Sequence, residues 1–363
     1  MIYLAYITIA FFGIRFLVAL INVIFSPVLK KRSLSEVPKV SVLIPARNEE
    51  ENIKKILNDL QHVPHKNLEV IVFNDQSTDH TAALANQFVG KDSRFKLINS
   101  EGLPDGWLGK NHACHRLSQE ASGEYFLFLD ADVRVKPDAI ESALAQIQKH
   151  NLKLLSVFPK QIMNTTGEKI TVPIMNTILL SLLPLIFTRT SQKPSLAAAN
   201  GQFMFFEAKN YNNVRPHEKM KAQKVEDILI ARYFKLNNLK MQCMTGNNSI
   251  TCRMYSEFHE AAHGFSKNVA EFFGGSHLAA FVYWLIGTFG IFSVIFSLNL
   301  FLIGLALFLV VAIKIMVSYS SRQNIWDNLA FAIPQQVVLG NILWLSFRNK
   351  KRKNYTWKGR TIG

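Results

Sequence analysis

The sequence predicts an α/β fold with a mostly parallel sheet, held at a membrane by apolar segments near both ends of the chain. Short apolar runs of strand length alternate with helix-like segments between residues 40 and 158, which is typical of a parallel sheet with helices on both faces. Residues 2–25 are almost wholly apolar, and residues 278–317 contain about two membrane spans' worth of apolar sequence.

The alternating region predicts nine elements in order. Strands are expected at 40–44, 69–73, 94–98, 125–129 and 153–158, and helices at 49–60, 79–88, 109–122 and 137–149. In the first helix Ile53, Ile56, Leu57 and Leu60 form one apolar stripe over two turns. Asn48 is the candidate residue to cap its start.

Three further segments follow the alternating region. Residues 172–187 are apolar but short and interrupted by proline, which predicts an interfacial or re-entrant helix, with a buried core helix as the alternative. Residues 224–236 are expected to form a helix, and residues 255–263 a short amphipathic helix. These elements between sheet and bilayer are candidates for the entrance of a lipid.

The charges that flank the apolar segments predict the topology. Lys30, Lys31 and Arg32 follow the first apolar segment, so the positive-inside rule places residues 30 onward in the cytoplasm and disfavours a cleaved signal peptide. We expect a membrane anchor at 1–29, a cytoplasmic domain at 30–276, a transmembrane or re-entrant segment at 277–347 and a basic cytoplasmic tail at 348–363. Residues 329–347 are the candidate re-entrant part, because Pro334, Gln335, Gln336 and Asn341 interrupt the apolar run.

The formal net charge of +15 favours a membrane surface over nucleic acid as the partner. No basic repeat with interleaved aromatic residues is present, as a nucleic-acid-binding module would have, and the tail carries seven basic residues and no acidic ones. The three cysteines form no spaced framework, which is consistent with a reducing compartment.

Two aspartates at the end of an apolar run are the clearest sign of chemistry. Asp130 and Asp132 follow Leu127–Leu129, and at a strand end two carboxylates in this spacing can meet one hard divalent ion. Mg²⁺ or Mn²⁺ with a diphosphate is the expected occupant, and a polar turn is the alternative. Asp75 lies at the end of the second predicted strand, on the edge where ligands bind in open α/β sheets.

Three motifs in this order, VSVLIPARNEEENI, NDQSTDHT and FLDADV, resemble the family 2 glycosyltransferases. Further segments, among them GWLGKNHAC, VED and the WKGR of the tail, resemble the membrane branch of that family, which includes diaponeurosporenoate (carotenoid acid) and hopanoid-associated glycosyltransferases. The resemblance covers nearly the whole chain. It implies a GT-A nucleotide-sugar-binding fold with transmembrane helices at both ends and a catalytic domain at 30–276.

The resemblance also implies roles for single residues in binding a nucleotide sugar. Asp75 would contact the uracil, Asp130 the ribose or the metal, and Asp132 the metal that bridges the phosphates. Lys110 would meet the nucleotide, with a solvated surface lysine as the alternative. The residues expected to line the nucleotide pocket beside Asp75 are Pro45, Ala46, Arg47 and Glu49.

On the acceptor side the resemblance points to Asp227 as the general base, which takes a proton from the attacking group. With an acceptor that is already ionised, Asp227 would orient more than deprotonate, and a helix-capping role beside Glu226 is the structural alternative. Contacts to the acceptor or diphosphate are expected from Glu226, Arg253, Trp357 and Arg360. The QxxRW signature of processive members is absent, which argues against a polysaccharide synthase.

The sequence thus predicts an inverting, metal-dependent hexosyltransferase in the cell membrane, with several membrane segments and a catalytic domain facing the cytoplasm. The expected donor is UDP-glucose, and the expected acceptor is a carotenoid acid or another polyisoprenoid lipid. Ceramide-like, hopanoid and polyprenyl-phosphate acceptors are alternatives. A catalytically inactive nucleotide-sugar-binding scaffold is the alternative from a different class.

Overall fold

A computed structural model describes residues 2–34, 36–65, 67–352, 355–357 and 360–362, and its side chains as far as Lys350. Within these ranges the strands are β1 (Val40–Ala46), β2 (Leu68–Asn74), β3 (Phe95–Asn99), β4 (Tyr125–Leu129), β5 (Val133–Val135), β6 (Leu154–Phe158), β7 (Lys160–Gln161), β8 (Phe203–Glu207), β9 (Met241–Thr245), β10 (Ile250–Cys252), β11 (Tyr355–Trp357) and β12 (Arg360–Ile362).

The helices fall into two groups along the chain. Those up to residue 190 are α1 (Ile2–Ile24), α2 (Ile53–Gln61), α3 (Thr81–Val89), α4 (Gly109–Glu120), α5 (Ala139–His150), α6 (Thr166–Thr171), α7 (Pro173–Leu182) and α8 (Ile186–Thr190). Those that follow are α9 (Ala208–Val214), α10 (Pro216–Lys219), α11 (Glu226–Leu236), α12 (Phe258–Ser266), α13 (His277–Ile295), α14 (Leu300–Ser320), α15 (Ile325–Ala330) and α16 (Ala332–Arg352). Two 3₁₀ turns lie at Pro194–Leu196 and Val269–Phe273.

A seven-stranded sheet with the order β3-β2-β1-β4-β8-β6-β9 forms the centre of the fold. Only β8 runs antiparallel to its neighbours, β4 and β6, which confirms the predicted, mostly parallel sheet. Because Leu129 at the end of β4 pairs with Phe203 at the start of β8, the turn before β8 meets the carboxyl ends of the parallel strands. A small second sheet, β5-β10-β7, lies beside this edge.

Both faces of the central sheet are covered by helices, as the strand sequences require. Side chains alternate between faces along a strand, so Val42 and Ile44 pack in one apolar cluster with α2 and α5. Leu43 packs in the other cluster, with residues of α4 and α11. All three side chains are fully buried, and burial of each contributes roughly 1.5–3 kcal/mol to folding.

The structure corrects the start of the first sheet-covering helix. It begins at Ile53 rather than at residue 49, and its N-cap is Asn52. Asn48 instead has a left-handed backbone with φ of 52°, and its side-chain oxygen accepts a hydrogen bond from the Thr78 amide at 2.9 Å. The predicted capping residue therefore ties together two loops at the carboxyl edge.

Three described helices, α1, α13 and α14, are long and apolar enough to cross a membrane. Helix α1 packs against both of the others. Arg15 of α1 faces the protein interior, where it is 4% exposed, donates a hydrogen bond from Nε to Ser181 Oγ at 3.1 Å and lies over the Tyr283 ring. The charge in this apolar helix is thus placed among protein groups.

Residues 172–187, predicted as an interfacial or re-entrant helix, are mostly buried in the protein, which favours the alternative of a buried core helix; their depth in a membrane stays a prediction. The segment forms α7 and α8, and every residue of α7 except Leu182 is buried. Helix α7 packs against α1 and α14, so its apolar side chains face neighbouring helices. Asn22 of α1 fixes the break between the two helices, because its amide donates to the carbonyls of Leu180 and Leu183 at 2.9 Å each.

The candidate re-entrant segment is a continuous helix, α16, in the described residues. Pro334 lies in its first turn, where proline is tolerated. Gln335 is 2% exposed and accepts a hydrogen bond from Lys314 Nζ of α14 at 2.5 Å, and the Gln336 carbonyl accepts one from Trp284 Nε1. Gln335 and Gln336, two of the residues that interrupt the apolar run, thus bond to other helices.

Helix α6 begins with a capping box that also holds the sequence-predicted Arg253. The Glu168 carboxylate is fully buried and accepts hydrogen bonds from the amides of Asn164 and Thr165, at 2.7 and 2.6 Å. Its other oxygen lies 2.7 Å from Arg253 Nε. Although burial opposes the shift, the hydrogen bonds from Arg253 and these amides lower the pKa of Glu168 from 4.5.

Replacement of Glu168 by alanine is expected to destabilise the protein by about 0.5–2 kcal/mol, because the amides of Asn164 and Thr165 lose their acceptor and the capping box is broken. The folded-state pKa lies below the unfolded value of 4.5, so this stabilisation is full above that pH and is lost as the pH falls through the lower, folded-state pKa. Thermal unfolding of the detergent-solubilised full chain at pH 7 measures the difference. Glu257→Ala is the control, since Glu257 makes no side-chain cap at α12; an equal loss in both variants would contradict the assignment.

The three apolar helices and the basic residues after α1 predict a specific topology. With Lys30–Arg32 inside, α13 leads outward and α14 returns, so Leu298 in the turn between them faces outside and Lys350 faces the cytoplasm. Because all three native cysteines are buried, Leu298→Cys and Lys350→Cys can be labelled selectively. An impermeant maleimide should modify position 298 in intact cells and position 350 only after permeabilisation. The reverse pattern would refute the orientation.

Candidate active site

A cleft of about 870 Å³ opens at the carboxyl edge of the central sheet. It collects residues that follow β1 and β4 and residues at the start of α11. The sequence-predicted residues that line it are Pro45, Arg47, Glu49, Lys110, Asp130, Asp132, Glu226, Asp227 and Arg253. Residues far apart in the chain are therefore brought to one place by the parallel topology.

The two aspartates after β4 have different surroundings. The Asp130 amide donates to the Gln202 carbonyl at 3.1 Å. Asp132 Oδ2 accepts a hydrogen bond from Gln202 Nε2 at 3.3 Å, whereas its Oδ1 is buried and has no hydrogen-bond partner among the described residues. Burial, together with the charges of Asp130 and Glu49, raises the pKa of Asp132 to about 7. The site is therefore short of positive charge around Asp132.

Lys110, at the start of α4, lies between two carboxylates. Its Nζ is 2.8 Å from Asp130 and 3.8 Å from Glu226 Oε1, and it donates to the Gly201 carbonyl at 3.4 Å. Although burial opposes the shift, the charges of Asp130 and Glu226 raise the pKa of Lys110. This ammonium is thus a fixed positive charge in the cleft wall and not a solvated surface lysine.

Asp227 is held by backbone amides at the start of α11. Its Oδ2 accepts from the Gly201 amide at 2.9 Å, and its Oδ1 accepts from the Ile228 amide at 2.7 Å. The second bond is the helix-end role considered from sequence, whereas the first links the carboxylate to a different loop. Burial raises the pKa of Asp227. Burial and the neighbouring Asp227 raise the pKa of Glu226 to about 7, although Lys110 opposes that shift.

The loop Asn200–Gln202 joins these groups and was missed by the sequence analysis. A Cβ on Gly201 would lie 3.2 Å from Lys110 Nζ and 3.4 Å from Glu226 Oε1, so a side chain there would press on both charged groups. Asn-Gly followed by an apolar run is a common turn signal. The sequence carries this signal immediately before β8, but β8 itself was not predicted.

The predicted nucleotide pocket is brought together at the ends of β1 and β2. Arg47 Nη1 donates to the carbonyls of Asp75 and Gln76, at 2.6 and 3.1 Å, and the Asp75 amide donates to the Ala46 carbonyl at 2.8 Å. Ala46 and Asp75 are only 2% and 1% exposed. Both lie behind the surface that Pro45, Arg47 and Glu49 present to the cleft.

The residues predicted to contact the acceptor or diphosphate, other than Glu226, lie in different places. Arg253 lines the cleft, but its Nε pairs with Glu168. The contacts predicted for Trp357 and Arg360 lie outside the residues whose side chains are described; the backbone there forms an antiparallel hairpin of β11 and β12. Through residues 2–352, apart from 35 and 66, no group of three or more His, Cys, Asp or Glu side chains is arranged to hold a metal ion.

A second cavity, of about 350 Å³, adjoins the cleft. Its walls are mostly apolar and come from α7, α12 and the segment Leu196–Ala199, and the two cavities have Asn200, Asp227, Met254 and Asn268 in common. Asp227 therefore lies where a charged cleft meets an apolar cavity. Because α7 packs against α1 and α14, the apolar cavity is next to the helices that can cross a membrane.

Comparison with known proteins agrees with this architecture. Residues 41–214 match the family model described as glycosyl transferase family 2. The 4,4'-diaponeurosporenoate glycosyltransferase of Staphylococcus aureus strain MRSA252 is 29% identical over 259 residues, which span 69% of this chain and 66% of that relative. The protein of the same name from strain USA300 matches with the same identity and coverage.

Among solved structures, the mannosyltransferase PcManGT of Pyrobaculum calidifontis, in complex with GDP-Man and Mn²⁺, matches with a TM-score of 0.58. The superposition covers 96% of this chain and 99% of that one, at 14% sequence identity, and it supports the fold alone. The sheet and the family match confirm the α/β, GT-A fold predicted from sequence. Residues 41–214 of this chain are thus similar to glycosyltransferase family 2.

Proposed function

We propose that this protein transfers a hexose from a nucleotide diphosphate sugar to a lipid. UDP-glucose is the first candidate donor, and a carotenoid acid or another polyisoprenoid is the first candidate acceptor. The observation that carries the proposal is the position of Asp227, at the junction of a charged cleft and an apolar cavity beside membrane-type helices. The name of the S. aureus relatives supports a carotenoid acid as the acceptor.

The charged cleft is the proposed donor site. Pro45, Arg47 and Glu49 would contact the nucleotide, with Asp75 supporting the pocket from behind. Asp130 and Asp132 would hold Mg²⁺ or Mn²⁺, and the buried Oδ1 of Asp132, which lacks a hydrogen-bond partner in the described chain, fits this role. When bound, such an ion supplies positive charge that stabilises the leaving diphosphate. With two carboxylates available, the phosphates themselves would provide further oxygen ligands.

The apolar cavity is the proposed acceptor site. Ligand cavities of this kind bind by shape and apolar contact, with a few polar groups that fix orientation. Its apolar lining includes Val172, Met175, Ile178, Leu179, Leu182 and Phe272. An acyl or isoprenoid chain in this cavity would place a polar end group next to Asp227, where the donor cleft begins.

Transfer in this arrangement is a single displacement. An acceptor oxygen bonds to the anomeric carbon while the bond from that carbon to the diphosphate breaks, and the nucleoside diphosphate leaves. Asp227 takes the proton of a hydroxyl acceptor, and the amides of Gly201 and Ile228 keep its carboxylate in position. Attack from the side opposite the leaving group inverts the anomeric centre. A carboxylate acceptor would arrive ionised, and Asp227 would then orient it.

Other acceptors fit the same geometry. Ceramide-like, hopanoid and polyprenyl-phosphate lipids also combine an apolar chain or ring system with a polar end. An inactive nucleotide-sugar-binding scaffold is the alternative without chemistry. These cases are separated by incubating the membrane-embedded protein with radiolabelled UDP-glucose and total lipid extract. Only an active transferase moves the label into the lipid fraction. Mass spectrometry of the labelled product then identifies the acceptor lipid.

Narrowing the apolar cavity should impair acceptor use without affecting the donor. Leu182 lines the cavity and is 37% exposed, so Leu182→Trp can be accommodated in the fold while it fills part of the cavity. We expect the kcat/KM for the lipid acceptor to fall about tenfold, the scale of an overpacked site, with the KM for the donor sugar unchanged.

The control is Leu236→Trp, at a residue that is 67% exposed and lines neither cavity. Both variants are assayed with the same labelled donor and with the acceptor concentration varied. Wild-type acceptor kinetics in Leu182→Trp would count against the cavity as the acceptor site, and a matching loss in Leu236→Trp would mean that added bulk acts through stability.

Removing the proton acceptor should slow the chemical step. Asp227→Asn keeps the size of the side chain, and we expect a loss in kcat of roughly 10²–10⁴-fold with a hydroxyl acceptor, while UDP binding measured by calorimetry is retained. Glu260→Gln is the control, because Glu260 also lines the cleft but is exposed. A much smaller loss in kcat indicates an acceptor that is already ionised. Loss of UDP binding would overturn the assignment of Asp227 as the general base.

A further inference from the structure

A third cavity, of about 180 Å³, lies at the end of α1 and shares no lining residue with the cleft or the apolar cavity. Its polar lining is strongly basic, and no Asp or Glu is among the lining residues. The basic residues come from three separate parts of the chain and are Lys30, Arg32, Lys149, His150 and Arg189. None of them has a part in the proposed transfer reaction.

One contact joins two of the basic side chains of this basic cavity. Arg189 Nη1 lies 3.3 Å from His150 Nδ1. The pKa of His150 is lowered, first by burial and then by the positive charges of Arg189, Lys149 and Arg32. Arg189 Nε is buried and has no hydrogen-bond partner among the described residues. A guanidinium N–H in this state needs an acceptor, and the lining provides no carboxylate.

The basic cavity lies at the boundary between α1 and the sheet domain. Its other wall is apolar and includes Phe25, Leu185 and Ile186. Ile24 and Phe25, at the end of α1, are 64% and 59% exposed, which suits contact with lipid. A ligand there would meet apolar groups on one side and a set of cations on the other.

We propose that the basic cavity binds the phosphate of an anionic phospholipid headgroup, with Arg189 and Arg32 as its main contacts. A phosphate would accept hydrogen bonds from the Arg189 guanidinium, whose planar fork matches phosphate oxygens, and it would offset the repulsion among the converging cations. The adjacent apolar wall and exposed end of α1 favour a lipid over free phosphate, because a lipid places its glycerol and first acyl carbons against apolar surface.

Native mass spectrometry of the full-length protein in detergent tests this proposal. The protein is titrated with phosphatidylglycerol or with phosphatidylcholine of the same acyl chains, and the bound fractions are compared. We expect tighter binding of phosphatidylglycerol, and about fivefold weaker binding for each cation removed in Arg32→Gln and Arg189→Gln, which corresponds to about 1 kcal/mol per cation.

The matched control is the double variant Lys31→Gln and Lys193→Gln, which removes the same charge from the same two segments at exposed residues outside the cavity. Equal binding of the two lipids, or an equal loss in the control, would overturn the proposal. If inorganic phosphate at equal concentration displaces bound phosphatidylglycerol, the cavity binds free phosphate rather than a lipid headgroup, and the proposal of a lipid ligand is overturned. If the variant with both Arg32→Gln and Arg189→Gln has a lower unfolding temperature than wild type, Lys149→Gln at the exposed edge of the cavity is used in its place. Weaker binding of phosphatidylglycerol is again expected.

Discussion

The site depends on one lysine, Lys110, held among several carboxylates in the cleft wall. Lys110 contacts Asp130 after β4 and Glu226 at the start of α11, and the loop Asn200–Gln202 before β8 lies between these groups. Two or more carboxylates in a half-buried cleft repel one another, and a single ammonium offsets only part of that repulsion. The remaining negative charge, concentrated near Asp132, makes the empty space in front of it attractive to further cations.

The same cluster connects the two proposed substrate sites. The Gly201 carbonyl accepts from Lys110 on the donor side, and the Gly201 amide donates to Asp227 at the junction with the apolar cavity. One peptide segment thus fixes the distance between the charged and the apolar halves of the site. A Cβ at Gly201 would press on Lys110 Nζ and Glu226 Oε1, so a larger residue there would have to shift both charged groups.

Much of the fold was predictable from the sequence, because its signals are local. The strands that precede Asp75 and Asp130 were found from short apolar runs, and α4, α5 and α11 were found within a few residues of their observed ends. The contacts that depend on distant partners were not. Asn48 looked like a helix cap, yet it bonds the Thr78 loop. Helix α7 looked interfacial because nothing in residues 172–187 shows that α1 and α14 cover it. Most of the residues proposed from sequence for the site line one cleft in the structure, whereas the pairing of Lys110 with carboxylates required the tertiary structure.

The position of α7 has a consequence for experiments with the isolated protein. One side of α7 forms a wall of the apolar cavity, and the helix also packs against α1 and α14. In the proposed membrane arrangement, the lateral pressure of a bilayer on α1 and α14 would therefore act on the cavity. Solubilisation in micelles removes the lateral pressure and can fill the cavity with detergent tails. The substrate preference of an extracted sample should therefore vary with the detergent, and nanodiscs are the appropriate setting in which to compare lipids.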